Sequence, residues 1–179
     1  MRLLPIGLLA AGLFVGHVVA EPAAQTGKAV KLEKAGLLQE ITNSQKRVMV
    51  PPTGQAFLWI MATASQVQTI DLTKVSVTSG ATSSSLFGVD GTHDGDPTRF
   101  AMIAPAQLKG AALDKPLEES WSVGSIAFAF TPGKTATLKI IQPPQSFCLL
   151  FSVSRAFQTG QVKGLGAEDL KVPAIPSGK

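Results

Sequence analysis

The chain has 179 residues and a net charge of +4, from 16 basic and 12 acidic side chains. A single cysteine excludes an internal disulfide framework. The basic residues are scattered among apolar positions, which excludes the dense basic patch that nucleic-acid binding requires.

The first twenty residues, MRLLPIGLLAAGLFVGHVVA, read as a secretory signal peptide. Arg2 and the α-amine form a positive start, Leu3 to Gly16 an apolar core, and Val18-Val19-Ala20 a small-residue cleavage site. Pro5, several glycines and His17 interrupt the run, which falls short of the roughly 20 apolar residues of a stable span. Cleavage after Ala20 predicts a periplasmic or secreted protein with no stable membrane span. No cysteine stands near residue 20 to carry a lipid.

The mature chain suits one domain, which at this length buries roughly 70% of its unfolded surface. Residues 21–46 are read as an N-terminal segment, partly flexible or an edge strand, and 47–179 as a β-sandwich with a polar C-terminal tail. Lys28, Lys31, Lys34 and Lys46, with Arg47 beside the last, are spread between apolar positions, as on a solvated strand face.

In chain order the elements are strands and turns. FLWIMA (57–62) is a continuous apolar run bounded by Pro51-Pro52-Thr53-Gly54, which predicts a central strand buried on both faces. A two-layer sandwich covers only one of those faces. The other needs a loop, the N-terminal segment or a second subunit, so a homo-oligomer is one expectation. Thr69 to Thr78 alternates, with Leu72 out of phase and a bulge expected near Thr73. Ser79 to Ser85 reads as a small polar loop, and Leu86 to Val89 as the strand after it. Arg99 to Ala104 follows, and APAQLKGAAL (104–113) is the best helical candidate, limited to about one or two turns by Gly110 and Pro116.

The second half is cleaner. Trp121 to Phe130 reads as one strand with Ile126, Phe128 and Phe130 inward. Thr131-Pro132-Gly133-Lys134 predicts a turn, and Thr135 to Ile141 the returning strand. After Pro143-Pro144, the residues Phe147, Leu149, Phe151 and Val153 share one face of a further strand, which also holds Cys148 as a buried small hydrophobe. Lys171 to Pro176 is a candidate last edge strand. The sum is an all-β, antiparallel β-sandwich of about eight to ten short strands with little helix.

The Trp-bearing FLWIMA strand, the alternating IDLTKVSV strand and the late FCLLFSV strand together resemble bacterial secreted immunoglobulin-like, or telokin-like, domains of unknown function. The resemblance spans roughly Val48 to Leu170. It implies an immunoglobulin-like sandwich in which Trp59 is the core tryptophan, without the cysteine pair and tyrosine corner of antibody domains. It carries no catalytic residues.

One stretch concentrates polar chemistry: GVDGTHDGDP (88–97). Placed on the EF-hand calcium pattern, Asp90, Thr92, Asp94, Gly95 and Asp96 take positions 1, 3, 5, 6 and 7, but Ala101 replaces the glutamate needed at position 12. Asp90, Asp94 and Asp96 remain a candidate calcium set of another geometry, beside the simpler reading of a tight turn without a cofactor. His93 lacks the companion ligands of a zinc or copper site. A hydrolase built around it would need a nucleophile brought close in space. Glu118-Glu119 read as a solvated turn, because neighbouring strand side chains point to opposite faces. The leading expectation is an exported, noncatalytic sandwich that binds a protein or envelope component through the 79–99 region, with His93 and Arg99 in the loop and Trp121 as a second contact.

Overall fold

A computed structural model of the chain describes residues 29–42, 48–91, 101–102, 119–123, 126–131 and 134–175. Among these the elements are antiparallel strands and one short 3-10 turn, so the all-β sandwich expected from the strand rhythm is the fold. Fourteen strands occur among the described residues, more than expected, and pieces as short as Ile41–Thr42 and Leu170–Lys171 make up the surplus.

The large sheet runs in the order β1 (Val30–Leu38), β4 (Gln55–Ala64), β12 (Gln145–Ser154), β7 (Thr82–Asp90), β6 (Ser76–Ser79), β13 (Gln161–Lys163) and β14 (Leu170–Lys171), with β8 (Ala101–Met102) paired to β7. β1 approaches β14, so this sheet curls almost shut. The second sheet is β5 (Gln68–Asp71), β11 (Thr135–Ile140), β10 (Ile126–Thr131) and β9 (Glu119–Val123). A separate two-stranded ladder joins β2 (Ile41–Thr42) to β3 (Val48–Met49).

Alternation explains what each sheet buries. Leu58, Ile60, Ala62 and Ala64 of β4 and Phe147, Leu149, Phe151 and Val153 of β12 face the second sheet. There they meet Ile70, Ile126, Phe128, Leu138 and Ile140 in one cluster. Each large side chain so buried contributes about 1.5–3 kcal/mol relative to exposure. The β10–β11 hairpin matches the turn expected at 131–134, with Thr131 opposite Thr135 and Lys134 N donating to Thr131 O.

The two-sided apolarity of FLWIMA has a local answer. On the outer face of the large sheet, Phe57, Phe87, Cys148 and Leu150 form a second cluster, capped by Ile41 and Met49 of the β2–β3 ladder. Residues just upstream of β4 thus supply the missing cover. Trp59 lies on this outer face beside Met61 and Leu38. It is therefore not the tryptophan of the core between the sheets, as the immunoglobulin resemblance implied. Its indole lies across Gly36 of β1, where an added Cβ would stand 2.5 Å from Trp59 Nε1. Gly36→Ala should push the indole outward, and in a Trp121→Phe background the emission of Trp59 should shift to longer wavelength. An unchanged spectrum would place the ring elsewhere.

Three segments differ from the sequence reading. The expected bulge near Thr73 is a 3-10 turn over Leu72–Lys74. Asp71 caps it, its Oδ1 accepting from Thr73 N at 3.1 Å and from Thr73 Oγ1 at 2.5 Å. The Thr73 hydroxyl, with Lys74 3.0 Å away, holds the Asp71 carboxyl below its usual pKa. This turn carries the chain from the second sheet to the first, and it lets Leu72 and Val75 both point inward. Trp121 to Phe130 is two strands rather than one: β9 and β10 pair antiparallel, Val123 opposite Ile126. The 79–85 stretch is a hairpin and not a loop. β6 and β7 pair from Ser79–Thr82 to Ser76–Ser85, around Gly80 with φ +56°. Glycine at the first position of a two-residue connection suits such a hairpin. The helical candidate at 104–113 lies outside the described residues.

Candidate functional site

β7 changes partner along its length. From Thr82 to Ser85 it pairs with β6, and from Leu86 to Asp90 with β12. The register shifts where Phe151 opposes Leu86 and Leu150 opposes Gly88, leaving Phe87 as the extra residue of a bulge. A bulge bends its strand and increases the local twist. β7 therefore leaves β12 at this point, although β12 continues along β4 to Ser154.

The divergence opens a groove of about 220 Å³ at one end of the sandwich interior. Its buried floor is Val77, Val153 and Phe157, and its more exposed rim is Ser79, Thr82, Ser84, Ser154 and Ala156. Val77, Val153 and Phe157 belong to the main core, so the groove is an uncovered end of that core. Phe157 is held on both sides. Its amide donates to Ser154 O at 2.9 Å, and its ring lies within 2.8 Å of where a Cβ on Gly160 would stand. The end of β12 is tied to the turn before β4, where Arg155 N donates to Gly54 O and Arg155 Nε to Gln55 O. Ser152 Oγ also donates to Gln55 Oε1. The walls are thus strands anchored at several points, which suits a preformed binding site.

The groove's lining has hydroxyls and apolar surface but no titratable group. Its volume is below the roughly 300–1,000 Å³ of drug-sized ligand pockets. It can hold one apolar side chain or a small neutral group, oriented by hydrogen bonds from the rim.

Asp90 is the last residue of β7, opposite Cys148 on the outer face, and only 4% exposed. Cys148 is buried beside Phe57 and Leu150, as its apolar context implied. Trp121 lies on β9 opposite Phe128, and Glu119 opposite Phe130. His93, Asp94, Asp96 and Arg99 lie outside the described residues. Among the described residues no three metal-ligating side chains gather. Lys31 and Lys34 are exposed on β1, opposite Thr63 and Met61, in keeping with a solvated face.

Sequence reasoning missed the groove residues. Ser79, Thr82 and Ser84 read as a small polar loop, and their one strand signal is Gly80 at the hairpin position. No helix among the described residues is long and apolar enough to cross a membrane. Comparison with family models, with curated proteins and with solved structures found no match to this chain.

Proposed function

We propose that this chain is an exported, noncatalytic β-sandwich module that binds a protein or envelope component through its 79–99 surface. The observation that carries the reading is the open groove at the β6–β7 hairpin, where an apolar floor and four hydroxyl-bearing residues meet on anchored strands. Binding sites are commonly built at the ends of rigid sandwiches, and a lining without titratable groups suits holding a ligand better than transforming one.

The test is binding of the mature chain, immobilised, to fractionated envelope proteins and polysaccharides. Ser84→Trp fills the groove from a rim position and should lower retention of the bound fraction about tenfold, the equivalent of 1.4 kcal/mol. If Ser84→Trp retains every fraction as the wild type does, the groove is not the binding surface.

A further inference from the structure

The bulge at Phe87 leaves backbone as well as side chains at the groove. Ser79 and Thr82 flank a two-residue turn, and Leu86 N donates to Val75 O. In an antiparallel pair the residues alternate between exchanging both backbone bonds and none. Val77–Ser84 and Ser79–Thr82 are therefore the bonded pairs, and Thr78–Ser83 is an unbonded one. Ser83 turns its N–H and C=O away from β6, toward the side where β12 has departed. The same alternation applies to β12. Arg155 N donates to Gly54 O across the β4 pairing, so Ser154 faces away from β4. Its carbonyl accepts from Phe157 N, and its N–H points to the gap. Past Phe151–Leu86 no ladder pair joins the two strands. The free edge of β7 and the groove are adjacent, because Thr82 and Ser84 line the groove while Ser83 between them offers the edge.

We propose that the free β7 edge and the groove together bind an extended, uncharged peptide segment of a partner protein, which pairs with Ser83 and seats one apolar side chain against Val153 and Phe157. This proposal rests on the binding-module reading and names its partner. Strand addition of this kind takes affinity from main-chain hydrogen bonds and specificity from pockets that accept alternate side chains. Both parts are present here within three residues of one strand. The lining contains no charged side chain, and so would leave a charged residue of the segment without a counter-charge.

The probe is a displayed library of random heptapeptides selected on the full mature chain, followed by capped synthetic peptides of the selected sequences. The expected winners are uncharged and β-branched, with one apolar residue at a fixed position. N-methylation of the amides that face β7 should weaken binding about tenfold or more, while N-methylation of the alternate amides leaves it unchanged. Ser84→Trp should abolish the same binding. Ser83→Pro removes only an N–H that the β6 ladder does not use, so it should keep the fold, by melting temperature, and lose the peptide. Failure to enrich any peptide would overturn the proposal, as would a flat N-methylation pattern. Self-association of the wild type that Ser84→Trp disperses would overturn it too, because a second copy would then be the occupant. If peptides fail but Ser84→Trp still loses an envelope fraction, the binding-module reading stands and the peptide proposal alone falls.

Discussion

Gly164→Ala should destabilise the chain by about 2–5 kcal/mol and lower its melting temperature by roughly 10 °C. Two effects add at this position. Gly164 has φ +82°, a left-handed conformation that costs a residue with a Cβ about 1–2 kcal/mol. The added Cβ would also stand 2.4 Å from Lys74 O and 2.8 Å from Lys74 C. These atoms are backbone of the turn that carries the chain between sheets, so they cannot swing aside as the end of a side chain can. Moving them strains Leu72 and Val75, both buried in the main core. Two other glycines separate the effects. Gly54 has the same φ with open space around it, so Gly54→Ala should show the conformational cost alone. Gly166 has neither feature, and Gly166→Ala should be close to neutral. The nearby Lys163–Asp169 pair, 3.3 Å apart and exposed, contributes at most about 1 kcal/mol, so its loss cannot mimic the effect. Urea unfolding of the three variants checks the order. Equal losses at Gly54 and Gly164 would mean that the approach to Lys74 is not as close as described.

Phe57→Ala and Phe87→Ala should each cost about 3–5 kcal/mol. Both rings lie on the outer face of the large sheet, a face that an ordinary two-layer sandwich leaves to solvent. Their centroids are 5.6 Å apart at an interplanar angle of 52°, and both are fully buried beneath Ile41 and Met49. An aromatic pair of this geometry adds about 0.5–1.5 kcal/mol beyond the area that it buries. The double variant should therefore cost less than the sum of the singles by about that amount. Denaturant unfolding of the four proteins of the cycle measures it. Losses below about 0.5 kcal/mol, the range of surface substitutions, would show that the β2–β3 ladder does not cover this face.

What was legible in the sequence follows from how local each signal is. β4 was readable as a continuous apolar run, and β10, β11 and β12 because large apolar side chains recur at period two, with proline or glycine beside each strand. That FLWIMA needed cover on both faces was readable as well. Which segment gives the cover was not, because Ile41 and Met49 meet Phe87 and Leu150 only through tertiary packing. The β6–β7 hairpin was hidden because strand residues that face an open groove need no apolar alternation, so a run of serines and threonines looked like a loop. The 3-10 turn was hidden by its own success at keeping Leu72 and Val75 inward, which resembled a strand slipping phase. The GVDGTHDGDP stretch drew notice because acidic and glycine residues concentrate there. Its first aspartate ends a strand and is buried opposite Cys148, a neighbour that only the β7–β12 register supplies. The groove draws on β6, β7, β12 and the turn after β12, and no contiguous motif could have announced it.

The parting of β7 from β12 creates both the groove and the strand edge, and amide hydrogen exchange reads it directly. In the free protein the amides of Ser83 and Ser154 should exchange almost without protection, while those of Ser84 and Val153, turned into the flanking ladders, exchange slowly. Protection of Ser83 and Ser154 equal to that of Ser84 and Val153 would mean that the sheet is continuous there, and would contradict both the groove and the strand edge.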